Sequence, residues 1–249
     1  MSGHSKWATI KHRKGAADKA RGKLFAKLIR QVEVAAREGG GDPESNATLR
    51  TMFQKARDAS VPSDTIDRAI KRGTGELEGV RYEAVTYEGY APCGVAVFVE
   101  CLTDNRNRTG AEVRSIFSKN GGSTAEPGAV AWQFNRKGMI VARKTGDDDE
   151  FMLAALEAGA EDMDDQGDTW QVTTGPSELT RVRAGLEAAG IVVESADLSL
   201  IPTTTVPLES EADARKVLRL IDLLEEHDDV QAVYANFDVP DEVLQAVEA

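Results

Sequence analysis

Six basic or titratable groups and one indole crowd into the first fifteen residues. His4, Lys6, Lys11, His12, Arg13 and Lys14 flank Trp7, with Ser5 and Thr9 between them, and the segment has little apolar periodicity. Lysine and arginine gain by releasing counterions from phosphates, an indole stacks on an unpaired base, and hydroxyls donate to phosphate oxygens. The bland reading is a solvated terminal arm. Binding is favoured, because the positive charge continues into the helix that follows.

A second candidate is the block Asn105, Arg106, Asn107 and Arg108. Read as a strand-to-helix loop, its planar guanidinium groups beside a helix N-terminus suit phosphate or carboxylate, and asparagine can read a base edge. The competing reading is a polar loop in which asparagines make turns and arginines pair with local acids such as Asp104. Both stand on the sequence alone.

Other chemistries find little support. No phosphate-binding glycine loop, dinucleotide fingerprint, nucleophile elbow or zinc-protease helix is present. Two of the three histidines, His4 and His12, lie in the arm, and His227 stands alone, so a triad or a histidine-rich metal site is not expected. An acidic run from Asp162 evokes a calcium loop, but its twelfth position is Thr173 where a bidentate glutamate is needed, so calcium is rejected. The run Asp147 to Glu150 reads as a helix cap. Cys93 and Cys101 are too few for a disulfide framework or a four-cysteine zinc site. No catalytic residue, metal, cofactor or small-molecule substrate is expected, and an enzyme survives only as a carboxylate-based activity. No secretory signal or membrane span is visible, which makes the cytoplasm the expected location and a membrane partner unexpected.

The 249 residues carry a formal net charge of −12, which argues against indiscriminate coating of nucleic acid. The total conceals a division. Residues 1–75 hold 16 basic and 8 acidic side chains, net +8; residues 76–145 hold 9 and 8, net +1; residues 146–249 hold 5 and 26, net −21.

The elements that must position these groups follow from periodicity. Leu24, Phe25, Leu28, Ile29, Val32 and Ala36 predict a helix from Ala16 to about Glu38, stopped by three glycines. Lys19, Lys23, Lys27, Arg30 and Arg37 then share an arc of about 80° away from the apolar face. Asp42 and Pro43 read as the cap and first position of a second helix, and Pro62 and Ser63 open a third. After a glycine-rich linker the period changes to strand: a hairpin over 81–103, a helix announced by a capping box at Thr109 and Glu112, and a strand over 129–134. Residues 138–200 then read as strand, helix, two strands, helix, strand, the ferredoxin-like order. A strand at 203–208, a helix at 211–227 and a strand at 230–238 follow. This tail is expected to return to the sheet begun at Arg81, since each unit would otherwise leave apolar strands unpaired. The fold class is therefore α+β and multidomain: an N-terminal three-helix domain (1–75), a discontinuous α/β domain (80–135 plus 203–249) and an inserted ferredoxin-like βαββαβ domain (136–202).

Three long blocks carry a resemblance. Gly-His-Ser-Lys-Trp with Ile10-Lys11-His12, the stretch Arg21 to Arg30, and Val99 to Thr109 running on through Phe117 to Gly122 resemble the YebC/PmpR family, and the likeness covers essentially the whole chain, more weakly after residue 145. Two departures are visible: Cys93 stands where the family usually has glycine, and Thr124 to Pro127 replaces a small, glycine-rich stretch. The resemblance implies one helical and two α/β domains. It also implies a regulator that binds promoter DNA; a mitochondrial relative activates translation, and bacterial relatives are linked to ribosomes stalled on proline-rich nascent chains.

The expected function is a non-enzymatic, nucleic-acid-binding regulator using the arm, the lysine face of the first helix and the block 105–108. Duplex DNA and ribosomal RNA compete as targets: duplex readout wants a rigid element in a groove, whereas an arm with Trp7 suits irregular RNA. A third reading is an interaction module whose acidic region meets a basic protein partner.

Overall fold

The computed structural model describes residues 18–248. The N-terminal part is three packed helices, α1 (Asp18–Gly39), α2 (Ala47–Asp58) and α3 (Ser63–Thr74), closed over Leu28, Val32, Leu49, Ala56, Ile66 and Ala69. One side chain makes the first corner. Asn46 is buried, donates from Nδ2 to the carbonyls of Ala35 (2.8 Å) and Gly40 (2.8 Å), and accepts the Leu49 amide on Oδ1 (3.0 Å), so it caps the end of α1 and the start of α2 together. The expected cap at Asp42 is corrected accordingly: Asp42 and Pro43 form a turn four residues ahead of the helix, with Asp42 Oδ1 accepting from the Glu44 amide. Glu33, also buried, is held by Arg37 (3.0 Å) and Arg72 (2.9 Å), which ties α1 to α3.

The first sheet runs β3-β1-β2-β9, from β1 (Glu83–Tyr90), β2 (Ala96–Thr103), β3 (Ser123–Ala125) and β9 (Val230–Ala235), all antiparallel. The chain tail does return to it, through β9 against β2. Helices α4 (Arg106–Lys119), α7 (Glu211–Glu225) and α8 (Asp241–Glu248) cover one face, burying Val97, Val99, Val113, Phe117, Leu220, Ile221 and Leu224. A parallel pair of two-residue strands, β8 (Val206–Pro207) and β10 (Phe237–Asp238), stands where longer strands are expected at 203–208 and 230–238. The interruption comes at Asn236, whose side chain accepts the Ala96 amide (2.7 Å) and donates to Gln133 (3.0 Å). The short β3 and the terminal α8 are not among the expected elements, although Val243, Leu244 and Val247 give α8 one apolar face that packs on the core.

The second sheet runs β5-β6-β4-β7, from β4 (Phe134–Arg143), β5 (Asp162–Asp165), β6 (Thr169–Thr174) and β7 (Val193–Pro202), again antiparallel. With α5 (Asp148–Ala158) and α6 (Leu179–Ala188) on one side, this is the ferredoxin-like arrangement. Asp147 caps α5, its carboxylate accepting from the amides of Asp149 and Glu150. Residues 129–133, expected to be extended, instead form a turn that leads into β4. The buried Glu88 carboxylate dictates it by accepting from the amides of Gly128 (2.6 Å), Val130 (2.7 Å) and Ala131 (2.9 Å). Burial pushes that carboxyl up, but the three amides outweigh it and hold it below the usual range. Phe98, Phe134, Leu200 and Tyr234 pack where the two sheets meet. No helix among the described residues is long and apolar enough to cross a membrane.

Candidate nucleic-acid interface

Eight of the expected contact residues, His4, Ser5, Lys6, Trp7, Lys11, His12, Arg13 and Lys14, lie outside the described residues, as does the side chain of Lys19. The remainder fall into two groups with different surroundings.

The basic face of α1 is turned onto the end of α7. Lys23 Nζ donates to the carbonyl of Glu226 (2.8 Å), Lys27 Nζ to that of Glu225 (2.7 Å), and Arg30 to that of Asp228 (2.6 Å). The physical reason lies in α7 itself. Its last turn holds no cation and carries Glu225, the wrong sign for the negative end of a helix dipole, so its unpaired carbonyls take their positive charge from α1. Arg37 is occupied elsewhere, on Glu33 and the carbonyl of Val80 (3.2 Å).

Beside this contact sits Asp229, 4% exposed. Its carboxylate accepts from Arg30 (3.1 Å), Arg108 (2.7 Å) and the Thr109 hydroxyl (2.7 Å). Because a carboxylate only accepts, the Thr109 proton points at Asp229. The Thr103 hydroxyl then donates to Thr109 (2.7 Å) and accepts the Asn105 amide (2.9 Å), giving a directed chain of bonds into one buried charge. Burial pushes the Asp229 carboxyl up; the bonds from Arg108 and Thr109, with the charges of Arg108 and Arg30, prevail and hold it below the usual carboxylate range. The ladder shifts register between Glu100 and Cys101, where Gln231 of β9 is the extra residue, just before this point. Cys101 is buried there, its thiol pushed up by burial to about 12, so it carries no thiolate at neutral pH.

The block 105–108 is not a loop. Asn105 is the N-cap of α4, its Oδ1 accepting the Arg108 amide (3.1 Å), and residues 106–108 form the first helical turn. The expected capping box is corrected too: Thr109 lies inside the helix and serves Asp229. Arg108 binds Asp104 (2.9 Å) as well as Asp229, and these acids raise its already high affinity for its proton. Asn105 and Arg108 thus do structural work. Arg106 and Asn107 point outward, and neither side chain has a bonded partner among the described residues. The sequence reading missed Arg114, two turns further along the same face, exposed like Arg106. The Tyr87 phenol is held above its usual range, chiefly by burial, with the charges of Arg106 and Arg114 acting against it. Gly110 between them leaves the helix surface flat against Tyr87. An i, i+4, i+8 projection of 106, 110 and 114 was the available signal.

A cleft of about 730 Å³ opens at the junction, walled by Lys23, Arg30 and Arg108 but also by Asp104, Glu112, Glu226, Asp228 and Asp229. Three cations against five acids do not make a phosphate pocket. His227 closes one side, accepting the Asp229 amide on Nδ1 (3.1 Å) and therefore donating from Nε2 to Glu112 (2.8 Å).

Comparison with known proteins connects the whole chain to one group. A family model described as the TACO1/YebC protein N-terminal domain matches residues 5–76, and one described as the TACO1/YebC second and third domain matches residues 82–237. A protein of Rubrobacter xylanophilus named "Probable transcriptional regulatory protein" is 59% identical, covering 99% of each chain, and one of the same name from Acidothermus cellulolyticus is 57% identical, covering 99% of this chain and 100% of its own. The crystal structure of a conserved hypothetical protein from Aquifex aeolicus superposes with a TM-score of 0.83 at 48% identity, over 90% of this chain and 93% of the other. The chain belongs to the TACO1/YebC family.

Proposed function

We propose that this chain is a non-enzymatic, cytoplasmic regulator of gene expression that binds nucleic acid through its N-terminal arm, with Arg106, Asn107 and Arg114 as a second point of contact. One observation carries the reading: a net charge of +8 is concentrated in residues 1–75 of a chain whose total is −12. The name shared by the curated relatives supports promoter DNA as the target. The chain is organised as a helical domain over 1–75, a discontinuous α/β domain over 80–135 plus 203–249 and an inserted domain over 136–202. Lys23, Lys27 and Arg30 reach phosphate only if residues 225–229 release them.

A second reading takes ribosomal RNA as the target, in a ribosome-associated translation factor that relieves stalling. The geometry of α1 favours it. Duplex readout needs a rigid basic helix free to enter a groove, and the basic face of the longest helix is packed against α7. The acidic C-terminal region, residues 146–249, repels nonspecific nucleic acid and is suited to a basic protein partner.

The test is a full-length K6Q/K11Q/R13Q/K14Q variant titrated against duplex DNA and an rRNA hairpin over a range of salt. Losing four phosphate contacts should lower the slope of log affinity against log salt by about 3.6 on a duplex and about 2.8 on single strands. An unchanged affinity and slope for both probes would sink the nucleic-acid reading. Crosslinking in cells separates the two targets, by discrete promoter peaks or by ribosomal RNA reads.

A further inference from the structure

Helix α5 is apolar on two sides and buried on one. Phe151 and Ala155 point into the inserted domain, where Phe151 stacks on Trp170 with ring centroids 5.1 Å apart. On the opposite side Met152, Leu153 and Leu156 remain 41%, 59% and 59% exposed. Nine large apolar side chains are exposed among the described residues, and three of them stand on this one helix of eleven residues. At 100° per residue these three fall within an arc of about 100° centred near Leu156. A surface helix of a folded domain ordinarily shows a polar outer face, and an apolar stripe left outward marks a contact still to be made.

The rim identifies the partner. Asp149 lies on the same arc, and Glu150 and Glu157 lie along one flank, all three exposed. The nearby cations are already committed: Lys144 to Asp148 (3.1 Å) and Asp165 (2.7 Å), and Arg181, which lies over Gly159 at the helix end, to Glu178. The inserted domain as a whole, residues 136–202, holds 6 basic and 14 acidic side chains. This sign of charge repels nucleic acid and anionic lipid surfaces. It also disfavours a second copy, because a two-fold contact through α5 would set Asp149, Glu150 and Glu157 against themselves.

We propose that the outer face of α5 is a docking surface for a basic amphipathic helix of a partner protein, whose apolar side covers Met152, Leu153 and Leu156 while its lysines or arginines meet Asp149, Glu150 and Glu157. This is the helix-on-helix mode in which apolar anchors at i, i+3 and i+4 set the contact and charge sets the orientation. It is independent of where nucleic acid binds.

The probe is a synthetic 18-residue amphipathic helix of leucine and lysine, fluorescently labelled, titrated against the full-length protein, with a scrambled peptide of the same composition as control. The expected result is saturable binding of the amphipathic peptide alone. An L153S/L156S variant should bind at least 30-fold more weakly with an unchanged melting temperature, since these side chains contribute little to the core, and E150Q/E157Q about 5-fold more weakly. Equal binding of the scrambled peptide, or indifference to L153S/L156S, overturns the proposal. So does a concentration-dependent dimer abolished by L153S/L156S, which makes a second copy the occupant. Tighter peptide binding by the K6Q/K11Q/R13Q/K14Q variant overturns it as well, by making the chain's own arm the occupant.

Discussion

Arg30 and Asp229 meet 3.1 Å apart although 199 positions separate them in the chain, and this pair joins the helical N-terminus to the returning tail. Asp229 also takes bonds from Arg108 and Thr109, so one carboxylate fastens α1, α4 and the approach to β9. Substituting D229N removes the charge and turns an amide NH2 toward Arg30, in the place of Oδ1, or toward Arg108 and Thr109, in the place of Oδ2. Complete burial would make the loss larger, but Arg30 and Arg108 keep contact with water and recover part of their hydration. The expected cost is about 1–3 kcal/mol, read as a lower urea midpoint.

The same carboxylate sets an acid limit, together with Glu88. Both are held below their unfolded values of about 3.9 for aspartate and about 4.3 for glutamate. A depressed folded value means the stabilisation is fully present above the unfolded value and is lost as pH falls through the folded one. The urea midpoint should therefore hold steady from pH 7 to about 5 and decline below about 4. D229N should flatten that decline; a variant that declines as steeply as the parent would contradict the assignment.

Lys23 and Lys27 supply the positive charge that α7 lacks at its own end. K23M/K27M keeps most of the aliphatic stems and deletes both ammonium groups. The double variant should lose about 1–2 kcal/mol of stability in low salt, with the difference shrinking toward 1 M salt as screening weakens the parent contact. E225Q should recover part of the loss by removing the adverse charge from the last turn of α7.

How much of this was legible depended on range. The lysine stripe of α1 could be read from a 3.6-residue period, because periodicity is local. Its acceptors could not, because they are main-chain carbonyls some 200 residues away whose identity no side-chain pattern announces. The block 105–108 shows a different failure. Thr109 and Glu112 match a capping box, but Asn105 is the better N-cap and starts the helix four residues earlier. That shift turned an expected phosphate-reading loop into a helical turn, directing Arg108 onto Asp104 and Asp229 and leaving Arg106 without such a partner. Residues 129–133 look β-rich, yet Glu88, 40 positions upstream, bends them with three hydrogen bonds. The ferredoxin-like order was readable because alternating strands and amphipathic helices each carry their own period.

Gly73 and Gly22 make a matched pair of opposite sign. A Cβ at Gly73 would clash with the carbonyl oxygen of Glu33 and lie 2.7 Å from the Ala36 side chain, so α3 must move off α1 to admit it. A Cβ at Gly22 meets nothing within 4 Å on an exposed turn of α1. G73A should destabilise by about 1–3 kcal/mol, and G22A should stabilise by about 0.5–1 kcal/mol through its better helix propensity. Thermal melts of the two alanine variants decide it.

Cys93 occupies a backbone position that favours glycine, with φ at +65°, followed by Gly94 at +77°. The tight turn between β1 and β2 imposes this conformation. A side chain in the left-handed region costs about 1–2 kcal/mol. C93G relieves that strain, but it adds about 0.5–1 kcal/mol of unfolded-chain entropy and deletes a weak thiol contact to Asp213. The near-balance predicts a C93G stability equal to the parent or up to about 1 kcal/mol above it. C93V, with a branched Cβ that tolerates positive φ poorly, should fall below the parent by about 1 kcal/mol or more. A C93V variant as stable as C93G in urea would mean that the turn is not held in this conformation in solution.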